Sequence, residues 1–278
     1  MIEQYQLSNK NGFSVIIIPY GGIIKEINVP DRNGKIENIV LNYKKSEEYL
    51  EDNFFIGALI GRYANRIENG TFSLGNENFQ LDKNEGNNHL HGGKKGFNKN
   101  FWKVVDYDSV NEKFIKLSYY SEHLECGYPG NLNCDVKYSI TDKNEFTIEF
   151  MAISDKDTIF NPTSHSYFNL NPSKMSILDH ELKINAKKYI PVNKKSLPKN
   201  DLKGVVDTAF DFNKSKKIKV DINKNDDQIL NSEGYDHCFI LDKNKTNIAA
   251  ELSENVTGRK LIIKTDQPGI QLYTGNHM

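Results

Sequence analysis

Phe146-Thr147-Ile148-Glu149-Phe150-Met151 alternates side-chain character residue by residue. Successive side chains of an extended strand point to opposite faces, so this period of two puts Phe146, Ile148 and Phe150 on one side. Immediately upstream, Thr141-Asp142-Lys143-Asn144 has the composition of a tight connection. Outward along the chain the pattern returns in Phe13-Ser14-Val15-Ile16-Ile17-Ile18, in residues 114–120, in Leu182-Lys183-Ile184 and in residues 235–241. These segments are rich in β-branched and aromatic residues, which suit a pleated, half-buried surface. Asp31-Arg32-Asn33-Gly34 and Leu74-Gly75-Asn76-Glu77 read as further strand connections. Only residues 46–53 read as helical, with Ser46 as the expected N-cap. Many strands, short turns and no βαβ alternation predict an all-β antiparallel sandwich or barrel. With no internal repeat and no low-complexity linker, residues 1–278 read as a single domain.

A chain of 278 residues can bury a sizeable core. Its hydrophobic fraction is 37% and its mean hydropathy is negative, so that core must lie in the patterned segments. Acids and bases nearly cancel to a net charge of −1, which gives no electrostatic reason to expect nucleic acid or a membrane surface as partner. The longest apolar stretch, Phe54-Phe55-Ile56-Gly57-Ala58-Leu59-Ile60, is far short of the roughly 20 residues that span a bilayer. Residues 1–5 carry neither a basic nor an apolar leader region, so no secretory signal is expected. The three cysteines, Cys126, Cys134 and Cys238, lack CxxC spacing and read as reduced thiols, which points to the cytoplasm.

Few residues carry chemistry. His89 and His91 form an HxH pair before Gly92-Gly93; two such imidazoles can share a metal, but no third ligand of convincing spacing follows, and no metal is expected. The two glycines suggest backbone lying close to a ligand. In Asn161-Pro162-Thr163-Ser164-His165-Ser166-Tyr167-Phe168-Asn169-Leu170, a strand would bring His165, Tyr167 and Asn169 onto one face: an acid–base group, a hydroxyl and an amide. That face serves either a polar ligand or only solvent. Asp236 shares a face with Cys238 and Ile240 and needs a partner if buried, either a ligand hydroxyl or Arg62; His237 points the other way and reads as structural. Arg62 and Arg66, in Gly61-Arg62-Tyr63-Ala64-Asn65-Arg66-Ile67, are either oxygen-binding forks or members of salt bridges. Trp102 reads as core.

Taken in order, several of these segments resemble the aldose 1-epimerase (galactose mutarotase) family. They are Gly61-Arg62-Tyr63-Ala64-Asn65-Arg66-Ile67, Leu90-His91-Gly92-Gly93 with Gly96-Phe97, Gly127-Tyr128-Pro129-Gly130 and Thr163-Ser164-His165-Ser166-Tyr167-Phe168-Asn169-Leu170. Tyr235-Asp236-His237 and Pro268-Gly269-Ile270-Gln271-Leu272-Tyr273-Thr274-Gly275-Asn276 complete the set. The resemblance implies a large antiparallel β-sandwich, galactose mutarotase-like, with an aldose held on one sheet. It implies anomer interconversion by ring opening and reclosure, with His165 as general acid, His91 near the ring oxygen, and Arg62, Asp236 and Gln271 on the hydroxyls. No metal, nucleotide or other cofactor is implied.

Pro162 and Ser164 stand where Leu and Asn are usual in the family, and Cys238 where Asn is common. The family's general base, a glutamate, follows the Tyr-Thr-Gly-Asn motif by a few tens of residues, whereas here the chain stops at Met278. The expectation is therefore a C-terminally truncated chain, without its last strands and with no residue assigned as base. A non-catalytic carbohydrate-binding protein that keeps the cleft is the alternative. An epimerase of hexose 6-phosphates would need a basic phosphate cluster beyond Arg62 and Arg66. Nothing in the sequence speaks to oligomeric state.

Overall fold

The structure, a computed structural model, describes residues 2–242 and 247–278. The chain divides into two compact units, Met1–Pro30 with Ile36–Phe168, and Asp31–Lys35 with Asn169–Met278. Every strand ladder among the described residues is antiparallel.

The first unit holds two four-stranded meanders. One runs Tyr5–Ser8, Ser14–Ile18, Ile23–Pro30, Ile36–Asn38; the other runs Lys103–Asp108, Phe114–Ser121, Leu132–Ile140, Phe146–Ser154. Tyr5–Ser8 packs on Phe114–Ser121 and Leu132–Ile140, so the sheets meet face to face. The strand Leu132–Ile140 shows why: Leu132, Cys134, Val136, Tyr138 and Ile140 are buried, and the residues between them are not. One dry and one wet face is the signature of an antiparallel sheet on a core. Leu7, Val15 and Ile17 lie buried in the first sheet, each such side chain contributing about 1.5–3 kcal/mol. Tyr138 carries a hydroxyl into this core at no loss, because it donates to the Gly22 carbonyl at 2.5 Å. Two expected connections close hairpins here. Gly75-Asn76 joins Thr71–Leu74 to Glu77–Gln80, and residues 141–145 close through the Thr141 N–H on the Glu145 carbonyl at 3.0 Å.

The helix expected at 46–53 is instead a short 3-10 turn, Ser46–Glu51. Ser46 is not its cap: the Ser46 hydroxyl accepts from Gln4 Nε2 at 2.7 Å. Lys45 is the capping residue, and the Glu48 carboxylate accepts its N–H at 2.7 Å. The one α-helix among the described residues is Asp227–Ser232. The Asp226 carboxylate starts it by accepting the Gln228 N–H at 2.8 Å.

The second unit also holds two four-stranded sheets. Their orders are Lys216–Lys217, Glu181–Ile184, Ile248–Ser253, Lys260–Lys264, and Lys203–Gly204, Ala186–Tyr189, Asp236–Leu241, Gly269–Tyr273. Leu182, Ile184, Tyr189, Phe210, Phe212, Tyr235 and Phe239 form its core. Tyr189 and Phe210 stack at 4.1 Å between centroids.

His237 belongs to this core, as its place opposite Asp236 predicts. Its ring is 0% exposed and lies 4.7 Å from Phe210. Nδ1 accepts the Asp236 N–H at 3.2 Å. Burial lowers its pKa from 6.5 to about 4. The unfolded chain therefore takes up this proton first, so the stability contribution is complete above pH 6.5 and is lost as pH falls towards 4. The loss amounts to about 3 kcal/mol. His237→Asn keeps an acceptor without the titration and is expected to flatten the fall of the urea midpoint between pH 7 and pH 4. A slope equal to that of the parent would mean that His237 is not held neutral.

Candidate active site

The two glycine motifs fold against each other. Gly92 has φ +90°, and a Cβ there would lie 1.7 Å from the Gly61 carbonyl oxygen. The close approach that the glycines allow is thus backbone on backbone. The short strands Arg66–Ile67 and His89–Leu90 pair beside it, Arg66 opposite Leu90.

The two histidines of the HxH pair part company. His89 is fully buried, with Nε2 on the Tyr128 hydroxyl at 2.6 Å and Nδ1 on the Asp82 carbonyl at 2.8 Å. It is structural. His91, at φ +54°, accepts the Asn65 N–H at its Nδ1, 3.0 Å away. Burial, and after it the proximity of His165, Arg66 and His89, hold the His91 pKa well below its usual value. A neutral ring that accepts at Nδ1 carries its proton on Nε2.

His165 follows a strand of only two residues, Thr163–Ser164, which pairs with Leu59–Ile60. The longer strand expected through 161–170 is not formed. His165 is fixed by its backbone: its N–H donates to Ala58 O at 2.9 Å, and its carbonyl accepts the Gly57 N–H at 3.1 Å. Its ring lies 5.2 Å from His91 and 5.0 Å from Tyr167. Burial lowers its pKa, while its own backbone carbonyl and Asp52 pull the other way. Asn169 does not join this group; its side-chain oxygen accepts the Asn171 N–H in a turn.

Arg62 is not a ligand-facing fork. It is 2% exposed. Its Nε donates to Ser121 Oγ, its Nη1 to Pro129 O and Thr158 Oγ1, and its Nη2 to the carbonyls of Ser121, Glu122 and Gly130. Every donor is consumed inside the protein, so the expectation that Arg62 binds sugar hydroxyls is corrected. The arginine near His91 is Arg66, which the residues leave open as an oxygen-binding fork or a salt-bridge member and the resemblance does not single out. One edge of its guanidinium meets the Glu85 carboxylate, Nε at 2.8 Å and Nη2 at 2.7 Å. Arg66 lies close enough to His91 to disfavour its protonation.

In the second unit, Asp236 and Gln271 come together on neighbouring strands. Gln271 Nε2 donates to Asp236 Oδ1 at 2.7 Å, in register with the pairing of Cys238 to Gln271. An amide and a carboxylate side by side offer both donors and acceptors to a polyhydroxyl ligand.

The aldose 1-epimerase family profile matches residues 3–278. The chain belongs to the aldose 1-epimerase family. An aldose 1-epimerase of Haemophilus influenzae is 36% identical over 98% of this chain and 78% of that protein. Human galactose mutarotase is 37% identical over 100% of this chain and 78% of its own length. The crystal structure of a galactose 1-epimerase from Lactobacillus acidophilus superposes with a TM-score of 0.88 at 34% identity, covering 100% of this chain and 84% of that one. Membership makes this an isomerase of the aldose 1-epimerase type with an all-β, galactose mutarotase-like fold. The profile match runs to Met278, and the expected C-terminal truncation finds no support in it. No helix among the described residues is long and apolar enough to cross a membrane.

Proposed function

We propose that the chain, acting as one sugar-binding domain, interconverts the α and β anomers of a free aldose such as galactose or glucose. The single observation that carries this reading is the imidazole pair His91–His165, two partly buried rings in contact at 5.2 Å with different hydrogen-bond settings. His165 is the general acid. Burial makes its protonated form a stronger acid, a shift that its own backbone carbonyl and then Asp52 oppose. The proton goes to the ring oxygen as the bond from C1 to that oxygen breaks, while the anomeric hydroxyl gives up its proton to a base. The resulting aldehyde turns about the C1–C2 bond, and reclosure on its other face returns both protons and gives the other anomer. His91, with Nε2–H outward from the Asn65 bond, donates to the oxygen side of the ring. Arg66 holds a hydroxyl of the sugar. No residue of this chain is assigned as the base, and no metal or cofactor takes part in these steps. The cytoplasm is the compartment proposed, supported by three free thiols, Cys126, Cys134 and Cys238.

Polarimetry of freshly dissolved α-glucose or α-galactose tests the proposal. The optical rotation is expected to relax to equilibrium faster than in buffer, in proportion to protein. Relaxation at the buffer rate, with sugar binding seen by calorimetry, would replace the enzyme with a non-catalytic carbohydrate-binding protein.

A further inference from the structure

Phe55 contacts both imidazoles of the proposed acid pair. Its ring centroid lies 4.8 Å from His91, edge-on, and 5.7 Å from His165. It does so from a backbone conformation that a bulky side chain normally avoids, φ +58°. Such a conformation is strained and persists only where its surroundings over-determine it. Here they do. The Asp52 carboxylate straddles the residue, accepting the Phe54 N–H at 3.0 Å and the Ile56 N–H at 2.9 Å. The Tyr43 hydroxyl donates to the same carboxylate at 3.0 Å. Beyond it, the Ala58 N–H closes onto the Phe55 carbonyl at 3.1 Å, and the Tyr167 hydroxyl donates to the Phe54 carbonyl at 2.8 Å. The turn is joined directly to the backbone of the acid through Gly57 and Ala58 on His165.

We infer that Phe55 is a positioning residue for the reaction, a third wall that fixes the angle between His91 and His165, and that Asp52 is the clamp that holds it there. This rests on the reading of those two histidines as the acid and its neighbour. The ring excludes water from one side of each imidazole without offering a hydrogen bond, so both keep their other contacts and neither rotates. The charged and titratable groups facing the pair from the surrounding elements are Asp52, Arg66, His89 and Tyr167.

The test separates position from fold. Glycine at 55 relieves the strained φ, so Phe55→Gly is expected to keep the parent's melting temperature within a few degrees while kcat falls about tenfold or more and KM changes little. NMR titration of the His91 and His165 imidazoles gives a readout that does not depend on turnover. In Phe55→Gly both titration midpoints are expected to rise towards the value of a solvent-exposed histidine, and Phe55→Tyr, which restores a ring, is expected to return them. Phe55→Leu, with apolar bulk but no ring face, should fall between the two. Unchanged midpoints in Phe55→Gly overturn the inference even if the parent proves to be an active mutarotase. Shifted midpoints in a parent with no activity sustain the positioning role and sink only the proposed reaction.

Discussion

His165→Ala is expected to lower the turnover number by about a hundredfold or more, the usual worth of a positioned acid–base group. The reasoning runs from geometry to chemistry. His165 is anchored by two backbone hydrogen bonds, so alanine can keep the main-chain path intact. What disappears is the imidazole, which packs between Phe55, His91 and Tyr167. Of the side chains around it, His91 cannot take over as acid at neutral pH, because burial and the neighbouring Arg66 keep it unprotonated. Ring opening would then depend on water to protonate the leaving oxygen. Polarimetric kcat and KM on the folded variant check this. Near-parent turnover would take His165 out of the acid role.

Arg62→Met is expected to cost about 3–5 kcal/mol of stability, the range found when one partner of a buried charge network is removed. Methionine roughly fills the space but donates nothing. It would strand the carbonyls of Ser121, Glu122, Pro129 and Gly130, each about 3 Å from the guanidinium. It would also leave Glu125, which lies close enough to favour the Arg62 charge, without that cation. Glu125 is bound by the hydroxyls of Tyr119, at 2.6 Å, and Ser121, so it stays in place as an uncompensated carboxylate. Urea denaturation provides the measurement. A midpoint within error of the parent would deny Arg62 its clamping role and reopen the question of what its guanidinium binds.

Much of the fold can be read from residue order. The period of two in residues 114–120 and 146–151 marks real strands, in each of which one face is more buried than the other. The Gly75-Asn76 and 141–144 connections close as their turn chemistry predicts. The helical reading of 46–53 overshoots because a favourable cap residue says nothing of competing partners, and Gln4 takes the Ser46 hydroxyl. Residues 161–170 look strand-like but form a ladder for only two residues, with Leu59–Ile60, while Asn161 and Phe168 make isolated bridges to Tyr63 and Val40.

The site divides in the same way. His91 and His165 are legible as polar residues set in unusual company. Arg62 and Arg66 are not separable by type or spacing, because burial, which the sequence does not display, decides between clamp and ligand fork. Only the structure shows that Arg66 pairs opposite Leu90, next to His91. Phe55 is harder still. Within Phe54-Phe55-Ile56-Gly57 it looks like one more core aromatic, and only its left-handed backbone and the Asp52 carboxylate beneath it set it apart.

In the proposed sugar site, the bond from the Asn65 peptide to His91 would set what that ring can receive. It occupies the imidazole's lone pair from behind, leaving the opposite edge able only to give a proton. A guest atom that meets that edge must bring electrons: an ether or carbonyl oxygen is welcome, a protonated amine is turned away. Because the polarity of this filter is set by a main-chain N–H, exchanging the side chain at position 65 leaves the donor itself in place.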